Sequence, residues 1–354
     1  MATDNDSLTL VSRWCALSTL GSRRLRAAAR DAQQLNALWH RSGKPRLSEK
    51  NSLALTRWLA ETGQVWFCWQ DQFPKALQQI PDPPVALFVV GGAQALARPR
   101  IAIVGSRAAT HSGVRMARNL ATELGLGGAL VVSGLAQGID CAAHEGALAE
   151  GLPTVAIPGS GLGNVYPRSH RGLAAAILNS GGLLLSEYAP WVAPHKSSFP
   201  ARNRLISGLA AGVIVVQAAL RSGSLITARL ASEQGREVMA VPGAPGSPVS
   251  AGCNALLRDG AALIETAGDV YAALGWELPA KSPALAGGSP DREIVADKSC
   301  AWVLSALDAI PLSVEELIQF TGCSALEVQR ALLMLELGGL VEATAQGYIR
   351  ASSA

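Results

Sequence analysis

Apolar positions recur every three to four residues in "SRRLRAAARDAQQLNALWH" and "SEKNSLALTRWLAET", a spacing that predicts helices, the second capped by Ser48 with Glu49 in its first turn. Residues 1–80 therefore read as a small helical domain. The stretch "FPKALQQIPDPPVALFVVGG" then mixes prolines with a short Val/Leu/Phe strand, where the chain enters its next unit. From residue 100 the pattern changes to short apolar runs that stop at Gly, Ser or Pro, each followed by a helical stretch. These are "IAIVGSR", "ALVVSGLAQGID", "TVAIPGSG", "GLLLSEY", "GVIVVQA", "EVMAVPG" and "AALIE". Continuous runs, rather than alternation, mean strands buried on both faces. They predict a parallel sheet covered by helices, a doubly wound α/β domain over residues 81–276.

Residues 277–298, "ELPAKSPALAGGSPDREIVADK", carry Pro, Gly, Ser and mixed charge without periodicity, the composition of a flexible connector. Beyond it, "AWVLSALDA", "SVEELIQFTG" and "SALEVQRALLMLELGG" read as three helices, with Ser313 and Ser324 as caps, and "LVEATAQGYIR" as a hairpin. That order, over residues 299–354, is a winged helix-turn-helix.

Charge changes this picture only when it is divided by region. The net formal charge is +3, but residues 299–354 hold two basic residues, Arg330 and Arg350, against six acidic ones. Residues 1–95 hold 11 Lys/Arg against 7 Asp/Glu, and 96–274 hold 14 against 10. Positive charge thus belongs to the first three quarters of the chain, and a winged helix this acidic is a poor reader of duplex DNA, which is bound by neutralising phosphates. A protein-contact role is the expectation for it. Arg23, Arg24 and Arg26 form a basic cluster, to be read either as part of a SAM-like or helix-hairpin-helix domain or as a solvated helix face.

The amino end "MATDNDSLTLVSRWCALSTLG" lacks the order of a signal peptide, and no apolar stretch is long enough to span a bilayer, so the expectation is a cytoplasmic protein with no membrane partner. Six widely spaced cysteines with no CxxC pair argue against both a zinc knuckle and a disulfide framework. Five histidines show no H-E-x-x-H spacing, and Cys253 in "SAGCNALL" has no neighbouring activator. No catalytic set, metal site or cofactor is expected.

Candidate chemistry lies beyond the carboxyl ends of the strands, where loops and helix amino termini present free N–H groups. Gly105, Ser106 and Arg107 follow the first strand; Ser133, Gly134 and Gly138 the second; Ser222, Gly223 and Thr227 the strand near 212–217. Small residues and hydroxyls suit phosphate, although neither G-x-G-x-x-G nor a P-loop is present. "FPARNR" sharpens the point. With a helix from Ala201, Arg202, Asn203 and Arg204 occupy its first turn, where arginines oppose the macrodipole and so are not explained by helix stability. Their planar forks suit phosphate, and Phe199 offers a face to a base. A second reading makes Phe199 core and pairs the arginines with Glu187 or Asp140.

Eight stretches in order carry a resemblance across roughly residues 73 to 274: "IAIVGSR", "VVSGLAQGIDCAAHEGAL", "VAIPGSGLGNVYPRSH", "GLLLSEY", "FPARNRLISGLAAGVIVVQA", "RSGSLITARLA", "REVMAVPG" and "SAGCNALLRDGA". Together they resemble the DNA-processing protein A family (DprA, also called Smf). The resemblance implies a Rossmann-like domain that binds single-stranded DNA without sequence preference, forms a homodimer and loads the RecA recombinase during natural transformation, without catalysis. It implies DNA contacts from Gly105, Ser106, Arg107, Lys196, Phe199, Arg202, Asn203 and Arg204, from the loops with Ser133, Gly134, Gly138, Ser222, Gly223 and Thr227, and from Arg168 in "YPRSH". Two positions depart from the family pattern: Gln217 stands where a glutamate is usual, and His170 where asparagine is usual. A competing enzymatic reading, nucleotide cleavage, is weakened because "SGSLITA" is followed by no acid until Glu233.

Overall fold

The computed structural model describes residues 2–18, 30–61, 63–277, 303–304, 306–307, 311–337, 340–344 and 347–351. The cluster Arg23, Arg24 and Arg26 and the predicted connector after residue 277 lie outside them. The chain divides into two compact units, Met1–Ser282 and Pro283–Ala354.

The first unit opens with three helices, α1 (Ala2–Ser18), α2 (Ala32–Arg41) and α3 (Glu49–Glu61). Asp31 caps α2, and Ser48 accepts from Asn51 N at the start of α3. Their apolar faces do not close on one another alone. Val11, Trp14, Leu35 and Leu55 share a core with Phe67, Phe88 and Leu184 of the sheet, so the helical front is packed into the first unit.

That sheet has nine strands: β1 (Gln64–Phe67), β2 (Ala86–Gly91), β3 (Arg100–Val104), β4 (Leu130–Ser133), β5 (Thr154–Ala156), β6 (Leu183–Ser186), β7 (Gly212–Val215), β8 (Glu237–Ala240) and β9 (Ala262–Leu263). Their spatial order is β1-β2-β6-β5-β4-β3-β7-β8-β9. The pairs from β6 to β9 are parallel, as the continuous apolar runs predict, and β1 and β2 add an antiparallel edge. On β2 the two-residue period divides the side chains between layers. Leu87 and Val89 join the core under Leu205, Ile206 and Leu209, and Ala86 and Phe88 join the one under the front helices.

The chain winds outward from β3 through β4 and β5 to β6, then returns to place β7 on the other side of β3. Loops leaving β3 and β7 consequently diverge, and the crevice between them is where open α/β sheets bind ligands. The crossover helices that matter here are α4 (His111–Leu126), α5 (Ile139–Ala149), α6 (Arg171–Asn179), α7 (Ser198–Leu209) and α8 (Gly223–Glu233). The structure therefore shows the expected doubly wound sheet.

One buried group makes this core sensitive to acid. His144 on α5 is fully buried and donates from Nδ1 to Thr154 Oγ1 at 2.9 Å, since the Thr154 hydroxyl itself donates to Val131 O at 2.8 Å. Burial, then the nearby charges of His170 and Arg202, pushes its pKa down to about 3. Below pH about 6.5 the unfolded chain takes up a proton that the folded chain refuses until pH about 3. Stability should therefore fall through that window as pH drops. Against a His144→Gln variant, the wild type should lose up to about 1.4 kcal/mol per pH unit, read by urea unfolding at a series of pH values. Parallel curves for the two proteins would show the imidazole to be as easily charged folded as unfolded.

The second unit contains α9 (Val314–Thr321), α10 (Ala325–Leu337) and the antiparallel hairpin β10 (Val341–Thr344) and β11 (Gly347–Arg350). Ser313 forms a capping box with Glu316, and Ser324 caps Glu327 N. Of the first predicted helix, Val303, Leu304 and Ala306 are helical and Leu307 is not, and Val303 and Leu307 join Leu317, Val328, Leu332 and Val341 in a small core. Leu312 bridges to Tyr348, giving the hairpin a third strand position and completing a winged helix.

Candidate nucleic-acid interface

A cleft of about 650 Å³ opens at the switch point, walled by the loops after β3 and β7 and by the first turns of α7 and α8. Each wall is pinned locally. Ser106 N donates to Gln217 O at 2.7 Å and Ile139 N to Ser106 O at 3.2 Å, so the loop carrying Arg107 is tied to both neighbouring connections. Gln217, the departure from the family pattern, reinforces this: its Oε1 accepts from Thr110 N at 2.8 Å and its Nε2 donates to Thr110 Oγ1 at 3.0 Å. Thr110 in turn caps α4 through Gly113 N. A glutamate at 217 could accept the first bond but not donate the second.

α7 starts at Ser198, three residues earlier than the sequence reading, and this changes which side chains share a face. Phe199, Arg202, Asn203 and Ile206, spaced by three and four residues, all line the cleft. Phe199 is half-buried against Gly159, where a Cβ would come within 2.6 Å of the ring. The Arg107 guanidinium carbon lies 4.9 Å from its centroid, and the Tyr166 ring lies 5.7 Å away at 50°. Lys196 is exposed just ahead of the helix. Opposite, Ser222 caps α8 by accepting from Ser224 N, and Gly223, Ile226 and Thr227 present the first turn of that helix to the cleft.

Ten of the residues named from sequence thus converge: Gly105, Ser106, Arg107, Lys196, Phe199, Arg202, Asn203, Ser222, Gly223 and Thr227. They do not all present the same chemistry. Arg107 and Lys196 are exposed cations. Arg202 is 4 % exposed, and its Nη1 donates to Gly134 O at 2.6 Å and to Ile157 O. Burial pulls its pKa down to about 10, despite the neighbouring Asp140. The Asp140 carboxyl is buried too, and desolvation raises its pKa against the opposing pull of Arg202. Arg202 is therefore a floor strut that joins α7 to β4 and β5.

Five of the named residues lie outside the cleft lining. Arg204 points away from the cleft: its Nη2 donates to both Glu187 carboxylate oxygens at 2.8 and 2.9 Å, and its Nε to Asp82 at 3.1 Å. Ser133 is buried, with its hydroxyl spent on Ile103 O at 2.6 Å. Gly134 and Gly138 stand where packing leaves no room for a Cβ. A Cβ on Gly134 would meet the Arg202 guanidinium at 2.5 Å, and Gly138 has φ of +75° where it approaches the Ser106 carbonyl. Arg168 is exposed in a single 3-10 turn outside the cleft walls. Its neighbour His170 donates from Nδ1 to Leu135 O at 2.9 Å, which holds the loop after β4. The sequence reading missed Tyr166 and Ala108. Tyr166 had a usable signal, an aromatic in the same quoted "YPRSH" stretch, but the arginine drew the assignment.

A doubly wound sheet with an aromatic, cation-rimmed cleft at its switch point, joined to a winged-helix unit, places this chain among Rossmann-like α/β proteins. The profile of the DNA recombination-mediator protein A family matches residues 64–275, and that of the DprA winged helix domain residues 279–347. The chain belongs to the DNA recombination-mediator protein A family. It is 41% identical to protein Smf of Escherichia coli over 86% of this chain and 82% of that one. It is 46% identical to the DNA processing protein DprA of Streptococcus pneumoniae over 57% and 71%. An X-ray structure of DprA from Streptococcus pneumoniae superposes with a TM-score of 0.60 at 37% identity, covering 71% of this chain and 84% of that one. DprA from Helicobacter pylori, a structure described as showing a single-stranded DNA binding mode, superposes with a TM-score of 0.54 at 35% identity, covering 60% and 95%.

Proposed function

We infer that this chain binds single-stranded DNA without sequence preference along the switch-point cleft. The observation that carries this reading is the convergence of two exposed cations, Arg107 and Lys196, with the Phe199 ring in one cleft. The cations track phosphates. The ring stacks a base of any identity, since every base has a π-face. The turn at Ser222, Gly223 and Ser224 adds the Gly223 N–H and one serine hydroxyl at a helix amino terminus, the two hydroxyls being bonded to each other at 2.7 Å. Support also comes from the Helicobacter pylori relative.

A non-catalytic role fits the lining. Among the cleft-lining residues Asp140 is the only carboxylate, and it is buried beside Arg202. The proposal extends, through the family resemblance, to protection of incoming single strands, loading of RecA, a homodimer and a cytoplasmic setting. Among the described residues no helix is long and apolar enough to cross a membrane.

Fluorescence anisotropy of labelled single- and double-stranded oligonucleotides across a salt series tests the core of this reading. Single strands should bind more tightly, with affinity falling as salt rises. Equal duplex affinity, or binding indifferent to salt, would refute it. Phe199→Ala should weaken binding by about 1–3 kcal/mol if one base stacks there, and an abasic oligonucleotide should not register the substitution.

A further inference from the structure

The winged-helix unit carries more apolar surface than its own core uses. α10 turns Val328, Ala331, Leu332 and Leu335 inward. A helix serving only that core would be polar elsewhere. Instead Leu326 is 77% exposed, Leu333 58% and Met334 56%, and Phe320 at the end of α9 is 72% exposed. At about 100° per residue, Leu326, Arg330, Leu333 and Met334 fall within an arc of about 100°, roughly opposite the buried stripe. A helix apolar on two opposite faces has room for a second neighbour.

The charges around the stripe select that neighbour. Exposed Glu327 and Glu336 flank it, one on either side, within the stretch of 299–354 that holds six acidic residues against two basic ones. In a winged helix-turn-helix this is the helix that would enter a DNA groove, yet between its leucines and glutamates only Arg330 could meet a phosphate. A second copy of the stripe would bring four glutamates together against two arginines, leaving net like charge across the contact. We propose that the outer face of α10 is a docking surface for an amphipathic helix of another protein, one whose large apolar residues are flanked by Lys or Arg. Leu326, Leu333 and Met334 receive the apolar face, and Glu327 and Glu336 fix its register and exclude acidic competitors.

The test uses the full chain and two labelled synthetic helices of about five turns, one with Leu and Lys at helical spacing and the other with Glu in place of every Lys. Anisotropy near physiological salt should show the Leu/Lys helix binding and the Leu/Glu helix at least about tenfold weaker. Leu326→Ser with Leu333→Ser should weaken the Leu/Lys helix by about tenfold or more, the effect of one or two leucines no longer buried. The unfolding midpoint and single-stranded DNA affinity of that variant should stay at wild-type values. Undiminished binding in the variant would mean attraction to acidic charge alone, and overturns the proposal; so does failure of both helices to bind. Self-association of the wild type that disappears in the variant, seen by sedimentation velocity, would assign the stripe to a second copy and overturn it equally.

Discussion

Arg204→Leu is expected to destabilise the first unit by about 3–5 kcal/mol, because it removes the guanidinium that balances the buried Glu187 carboxylate. Both side chains are under a tenth exposed, at 8% and 5%, whereas Asp82, the third member, is 42% exposed and can return to water. The asymmetry locates the penalty at Glu187. Leucines at both 187 and 204 should recover most of the loss, since replacing a whole buried pair with apolar groups is far less costly than removing half of it. Urea unfolding of the two variants measures this, and single-stranded DNA affinity of the folded Arg204→Leu protein should match the wild type. A loss of affinity with no loss of stability would return Arg204 to the interface.

Arg107→Ala combined with Lys196→Ala should act in the opposite way, on binding and not on folding. Both side chains are exposed, and the loop that carries Arg107 is held by the backbone bonds of Ser106 and by Gln217, not by the guanidinium. If each cation neutralises one phosphate, the slope of log affinity against log salt should become shallower by about 1.4, at roughly 0.7 per contact on a single strand. At moderate salt the affinity should fall by about two orders of magnitude or more, taking roughly 1.5–3 kcal/mol for each charge-assisted bond. An unchanged slope would mean that the strand runs elsewhere. Because Arg107 also lies over the Phe199 ring, the Phe199→Ala effect should be measured again in this background, where neighbouring substitutions are not additive.

The contrast between Arg107 and Arg204 shows how far residue type carries. "GSR" after an apolar run marks a turn at a strand end, and in the structure that turn presents an exposed guanidinium to the cleft. "FPARNR" marks a helix start with two arginines, and there the outcome depended on where the first turn lies. Starting at Ala201, all three polar residues share an open end. Starting at Ser198, the helical period sends Phe199, Arg202 and Asn203 to the cleft and Arg204 to Glu187. The same holds for the small residues. Gly105 and Gly223 line the cleft, whereas Gly134 and Gly138 are small because a guanidinium and a carbonyl come too close for a Cβ.

From the order of its side chains alone the polypeptide settled its parallel sheet, its winged end and the strand ends where chemistry gathers, because periodicity and turn residues are local and survive without partners. Only the folded molecule decided which cations are free. A guanidinium's task is set by what lies within a few ångströms of it, and Gly134, Ile157, Asp82 and Glu187 reach Arg202 and Arg204 from strands and loops far away along the chain.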